Sequence, residues 1–412
     1  MKLTIDSQRL NDELEKLATF SDAPAPEVTR IVYSEQDLHA REYVKGLCRA
    51  AGLEVREDAV GNTFARWTGS QPELPAVATG SHIDAIPHAG RFDGTVGVLG
   101  GLEAIRALQA GGCRPKRSVE LILFTAEEPT RFGIGCFGSR LLSGAMPGWK
   151  GERLSDKDGK TLDEWRAEAG FEGTLDSVVL ATGHYAAFVE LHIEQGPLLE
   201  KAELALGIVT AIAAPASLKV TVEGEGGHAG AVLMPDRRDA LCAAAEIALD
   251  VEKIAKGTGA VDSVATVGVF DVFPGAVNSV PSRVRLELDI RDIDEGRRNQ
   301  MVTQIATVCR DTAQRRKLKV TAEVINMDAP AESSAEVVGA LVRAAEAHSL
   351  GYQLMVSRAY HDSLFLSRIA PTAMLFIPCR AGISHRPEEF AAPEAIASGA
   401  LVLAEALAEL AG

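Results

Sequence analysis

Hydrophobic positions along this chain follow one texture, give way to a second, and then return to the first. In the first two hundred residues, short apolar runs alternate with helical stripes. The stretch SEQDLHAREYVKGLCRAAG opens on a capping Ser34, carries Leu38, Tyr43, Val44 and Leu47 at helical spacing, and stops at Gly52. LEVREDAV, TFARWTG and PAVATGSHID follow as strand candidates, then VGVLGGLEAIRALQAGG as a helix rich in small residues. RSVELILFTAEE and FVELHIEQ are nearly continuous apolar runs, the kind that fills a parallel strand covered on both faces. This alternation predicts an α/β domain with a doubly wound, mixed sheet.

From about Ile212 the pattern changes. SLKVTVEGEG, a helix near 236–254, VATVGVFDV, SRVRLELDIRD, a helix near 295–316 and LKVTAEVI give a β-α-β-β-α-β order. That is the arrangement of a small two-layer α/β sandwich with an antiparallel sheet. After NMDAPAES the first texture resumes, with a helix over 333–349, the strand YQLMV, a helix near 362–369, the strand TAMLFI and a terminal helix over 393–411. The expected organisation is one domain, 1–211 together with 330–412, interrupted by an insertion at 212–329.

Composition narrows the function. The 412 residues are 46% hydrophobic, enough for a large core, and 38 glycines suit an α/β enzyme with many close turns. A net charge of -15 argues against nucleic acid or an anionic membrane as partner. It still allows a small anionic substrate held by local cations. The six cysteines are scattered without a close pair and read as reduced thiols of a cytoplasmic protein. MKLTIDSQRLNDELEKL contains acids and no apolar block, so it does not read as a signal peptide, and no apolar run is long enough to span a membrane.

Polar residues gather at the ends of the first domain's strands, where open α/β sheets place their sites. GSHIDAIPHAGRFDG offers His82, Asp84, His88 and Asp93; FTAEEP offers Glu127 and Glu128; ELHIEQGP offers His192, Glu194 and Gln195; GISHRPEEF offers His385. Two imidazole-plus-carboxylate sets that share one carboxylate could hold a pair of divalent metals about 3.5–4 Å apart. GIGCFG at 133–138 matches a dinucleotide-binding fingerprint, but Gly133 lies eight residues beyond Thr125 rather than directly after its strand, so a nucleotide cofactor is not expected.

With GSHID, FDG, EE…RF…GSR, LHIEQGP, GHAG, DAL, N.VP…LDIRD and SH in place, the chain resembles the hydantoinase/carbamoylase family of dinuclear metal amidohydrolases over about 28–412. That family lies within the aminoacylase and zinc aminopeptidase superfamily. The resemblance implies that His82 and His192 bind one metal ion, that Glu128 and His385 bind the other, and that Asp93 bridges them. It makes Glu127 the general base and Asp84 the carboxylate that orients His82. It implies two divalent ions per chain, zinc or manganese. A carboxylate on the metal and a second one free for the water's proton would explain the doublet in FTAEEP.

The resemblance also implies that the inserted domain is a lid and the seat of a homodimer. His228 would stabilise the developing oxyanion, and Asn278 and Arg291 would hold a substrate carboxylate, a task for which arginine's planar fork is suited. Gln195, Arg358 and His361 are further substrate-contact candidates. Two local departures, Glu128-Pro129-Thr130 and Arg358-Ala359-Tyr360-His361-Asp362, are similar to the branch of the family that hydrolyses ureidoglycolate. The expected substrate is therefore a small ureido acid such as ureidoglycolate, allantoate or an N-carbamoyl-L-amino acid, with large hydrophobic carbamoyl amino acids disfavoured. A peptidase or aminoacylase of the same superfamily is the competing enzyme. A binding protein that has lost catalysis would be expected to lack a ligand or the base, and none of those positions is empty here.

Overall fold

The computed structural model describes residues 3–412, which fall into two compact units. The first comprises residues up to Thr210 together with Glu332–Ser357 and His361–Gly412; the second comprises Ala211–Ala331 and the three residues Arg358–Tyr360.

The first unit is built on a mixed sheet. Its four central strands run in the order Thr372–Ile377, Tyr185–Ile193, Ala76–His82 and Val119–Phe124, and all neighbours are parallel. Antiparallel strands Thr63–Trp67 and Glu54–Glu57 extend one side, and Leu206–Ile212 the other. The strand Val119–Phe124 is buried along its whole length. Its alternate residues feed two different cores: Leu121 and Leu123 pack with the helices Thr95–Ala110, Ala335–Ala347 and Pro393–Ala411, while Ile122 and Phe124 pack with Phe137, Phe188 and Phe64. A strand with apolar cover on both faces needs no polar alternation, which is why these segments read as unbroken hydrophobic runs.

Strand register then places the chemistry. His82 pairs with Phe124 and His192 with Phe376, so the carboxyl ends of all four parallel strands finish at one level. The turns that leave those ends carry Asp84, Glu127, Glu128 and His385.

The second unit is a four-stranded antiparallel sheet in the order Val264–Phe273, Arg283–Asp292, Ala214–Glu223 and Lys319–Met327. Two helices cover one face. Ala240–Gly257 is capped by the Asp239 carboxylate, and Glu295–Arg316 by that of Asp294. Burial alternates strictly along Arg283–Val284–Arg285–Leu286–Glu287–Leu288, the signature of a sheet buried on one side.

Three local differences from the sequence reading have physical causes. The helix expected near 236–254 starts at Ala240, because Met234–Asp236 forms a separate tight turn and Asp239 supplies the cap. The helix near 362–369 is the single turn Ser363–Leu366. The strand Leu206–Ile212, hidden in an apolar run without a turn signal, pairs with Thr372–Ile377. No helix among the described residues is long and apolar enough to cross a membrane, and all six cysteines are free.

Candidate metal centre

Asp93 lies at the focus of three imidazoles. Its Oδ1 is 3.4 Å from His82 Nε2 and 3.2 Å from His192 Nε2, and its Oδ2 is 3.3 Å from His385 Nε2. His385 Nε2 is also 3.2 Å from Glu128 Oε1. Two triads result, His82–Asp93–His192 and Asp93–Glu128–His385, and within each the candidate ligand atoms lie within 4.8 Å of one another.

The main chain sets the direction in which each imidazole works. His82 Nδ1 sits 3.0 Å from the Asp84 carbonyl oxygen and His192 Nδ1 2.9 Å from that of Ile193, so each donates from Nδ1 and turns Nε2 inward. The Gly94 N–H donates to His192 Nε2 (3.1 Å), which fixes the lone pair on that nitrogen. Gly94 has φ +64°, and a Cβ there would lie 2.5 Å from the His82 ring, so the glycine of FDG is required by both backbone and space.

The Asp84 carboxylate lies beside His82 and also meets the glutamate turn. It pairs with His82 Nδ1 at 3.6 Å, and the hydrogen bond of that nitrogen goes to Asp84's main-chain carbonyl. The carboxylate accepts from the N–H of Glu127 (3.2 Å) and of Glu128 (3.0 Å). One buried side chain therefore anchors both glutamates of FTAEEP. Ala126 immediately before them has φ +54°, a reversal that takes the chain off the strand and lets two successive carboxylates stay buried.

The glycine loop at 133–138 clamps the same segment. The amides of Cys136, Phe137 and Gly138 donate to the carbonyls of Glu127, Ala126 and Thr125 at 2.7–2.8 Å. A side chain at Gly138 would put a Cβ 2.1 Å from Asn62 Oδ1 and 2.8 Å from the Thr125 backbone. The loop's glycines thus serve close packing against the glutamate turn.

Electrostatics follow from burial. Burial opposes charge on Asp93, but His192, His385 and His82 outweigh it and hold its carboxyl well below the usual carboxylate range. Asp93 and Glu128 push the His385 imidazole up to about 11. Burial, and then the charges of Glu128, Asp362 and Asp84 against the opposing pull of His82, keep Glu127 well above its ordinary range. The cluster has more carboxylate than its imidazoles can balance. A divalent ion at either triad would supply that positive charge, and an N/O donor set of this kind suits zinc or manganese.

Other site candidates divide between the units. In the first, Gln195 Nε2 donates to Asp93 Oδ2 (2.6 Å), and the ring of buried His361 packs edge-on against that of His192, 4.7 Å between centroids. Glu190, His192 and His361 also come within ligand distance of one another. His88 is exposed and paired with Glu27 (2.5 Å), away from the triads, and Glu194 caps the turn at Leu198 and Leu199. In the second unit, exposed His228 pairs across strands with Ser279, the residue after Asn278. Arg291 forks onto Asp289 and donates to the Arg358 carbonyl (2.9 Å). Arg358 and Tyr360, expected on the catalytic domain, belong to this unit, where their side chains bond Asp262 and Asp328. Sequence reasoning missed Glu389, which accepts from the N–H of Phe92 (2.7 Å) and Asp93 (3.1 Å) and from the Ser384 hydroxyl (3.0 Å). The second doublet in RPEEF, three residues past His385, was the available signal.

The fold and the paired triads define a hydrolase built to hold divalent cations. A family model for the peptidase family M20/M25/M40 matches residues 78–409. The chain is 52% identical to ureidoglycolate hydrolase of Arabidopsis thaliana over 99% of its own length and 87% of the relative's. It is 36% identical to an N-carbamoyl-L-amino-acid amidohydrolase of a Pseudomonas species, covering 98% of both chains. A crystal structure of AtUAH in complex with (S)-hydroxyglycine superposes with a TM-score of 0.90 at 52% identity, covering 99% of this chain and 98% of that one. The chain belongs to the M20/M25/M40 peptidase family, among its hydantoinase/carbamoylase-type amidohydrolases.

If the glycine loop seats the glutamate turn as described, Gly138→Ala will force Asn62 and Thr125 apart. Overpacking of this kind costs about 1–3 kcal/mol. Denaturant titration should show a lowered midpoint together with reduced turnover; a variant as stable and active as the parent would contradict the clamp.

Proposed function

We propose that this enzyme hydrolyses the ureido C–N bond of a small ureido acid, ureidoglycolate foremost, with release of ammonia. The observation that carries the reading is Asp93, one carboxylate shared by two ligand triads, with the neighbouring Glu127 outside both. The substrate class is supported by relatives named for ureidoglycolate and N-carbamoyl amino acids, and by the two-carbon acid bound in AtUAH.

In this account His82 and His192 would hold one divalent ion and Glu128 and His385 the other, with Asp93 as the ligand common to both triads. When bound, such ions supply Lewis acidity to a water and to the scissile carbonyl. Glu127 takes the water's proton and passes it to the leaving nitrogen, which its burial and raised pKa suit it to do. Asp84 keeps Glu127 and Glu128 in place through their amides. His228 donates to the developing oxyanion, and Asn278 and Arg291 bind the substrate carboxylate, with Gln195 and His361 as further contacts. The engagement of Arg291 with Asp289 pre-orients its guanidinium. Arg358 acts by fixing its segment to Asp262.

We also assign the second unit as the seat of a homodimer. Phe270 and Phe273 on one edge strand of its sheet, and Val324, Ile325 and Met327 on the other, are exposed, and apolar edges of this kind favour a partner. Six unpaired cysteines support a cytoplasmic location.

Four measurements test the reading. Ammonia release should be fast with ureidoglycolate or allantoate and slow with carbamoyl-phenylalanine or dipeptides, and faster cleavage of dipeptides would favour a peptidase. Asp93→Ala should retain fewer than two ions per chain and lose turnover, whereas an active variant holding two ions would overturn the shared-ligand model. Glu127→Gln should keep its metal and lose about 10²- to 10⁴-fold in kcat, while Glu128→Gln should lose metal; equal metal loss in both would mean the pair is assigned wrongly. Arg291→Ala should cost about ten- to a hundredfold in kcat/KM for the free acid. Equal cleavage of the acid and its ester by the parent enzyme would remove the carboxylate-binding role.

A further inference from the structure

We propose that Cys136 is a positioning residue for the general base, its thiol holding one oxygen of Glu127 so that the other faces the imidazole of His82. The inference rests on the assignment of Glu127 as that base.

Cys136 is fully buried and unpaired with any other cysteine. Its Sγ lies 3.2 Å from Glu127 Oε1, and Glu127 Oε2 lies 3.8 Å from His82 Nε2. Among the described residues no other hydrogen bond reaches that carboxylate. The same cysteine's N–H donates to the Glu127 carbonyl at 2.7 Å, so residue 136 grips the main chain and the side chain of residue 127 together. The grip depends on an uncommon backbone: Cys136 has φ +53° and ψ +36° at the start of the helix Phe137–Leu142, the left-handed conformation that side chains with a Cβ seldom adopt.

The end of a glutamate side chain rotates freely about its last torsion unless something holds it. A base that shuttles a proton between water and nitrogen needs a fixed direction at both moments. Burial, and then the charges of Glu127 and Asp362, hold the thiol well above its ordinary range, so it remains a donor. A thiol is a weak donor, so its removal costs a modest factor.

The test compares Cys136→Ala, which removes the donor but keeps a Cβ at the same backbone angles, with Cys136→Ser, which replaces the thiol by a hydroxyl. Cys136→Ala should lower kcat about three- to tenfold with KM and metal content unchanged, and Cys136→Ser should recover most of that loss. In a Glu127→Gln background the same Cys136→Ala change should cost nothing further, because the group being aimed is gone. A purely structural role would lower both backgrounds alike. Should Cys136→Ala not accumulate as folded protein, Cys136→Ser against Cys136→Gly makes the same comparison. The proposal is overturned if Cys136→Ala turns over at the parent rate, if serine falls as far as alanine, or if the loss is equal in the two backgrounds. Parent-like turnover by Glu127→Gln alone would instead refute the base assignment, so the two failures can be told apart.

Discussion

The structure depends on the attraction between one buried carboxylate and three imidazoles. Asp93 sits within 3.2–3.4 Å of His82, His192 and His385, and each of these residues arrives from a different stretch of chain. Burying so much charge is unfavourable unless it is paired and hydrogen-bonded. The pairing here is satisfied only when the parallel strands end at one level and their turns fold back toward Asp93. Strand register, the Gly94 approach and the Glu389 bonds to the Asp93 loop all serve that convergence.

The backbone is strained around this convergence. Ala126, Cys136, Gln195 and His385 all take positive φ, and each flanks or belongs to the candidate centre. Such conformations persist where the surroundings over-determine them, and they concentrate at functional sites. The bonds that over-determine them are visible: Asp84 to the amides of Glu127 and Glu128, the three amides of the glycine loop to 125–127, and Gln195 and Ser384 to Asp93. Catalytic geometry in this enzyme is largely a matter of main-chain amides held in unusual directions.

Much of this was legible in the sequence, and the division follows physical range. Unbroken apolar runs identified the buried parallel strands, and the ends of those runs located His82, Glu127, Glu128 and His192, because local pattern sets where a strand stops. The switch to alternating residues after Ile212 marked the inserted sheet. What depended on distant pairing was not legible. Asp84's bonds to the amides of Glu127 and Glu128 could not be foreseen, because they need a left-handed Ala126 to turn those amides onto its carboxylate. Arg358 and Tyr360 lie between catalytic-unit segments in sequence, yet their partners Asp262 and Asp328 place them with the inserted unit. Sorting Glu127 from Glu128 needed family resemblance; in the structure His385 contacts Glu128, and Glu127 lies between Cys136 and His82.

The central claim is that the excess carboxylate around Asp93 exists to hold a pair of catalytic cations. Its most direct test is a titration of chelator-stripped protein with manganese or zinc, following bound metal and ammonia release from ureidoglycolate in the same samples. The account predicts no turnover in the stripped enzyme and activity that rises to a plateau at two ions per chain. Full turnover in stripped protein, or a plateau reached with no metal bound at the triads, would contradict it.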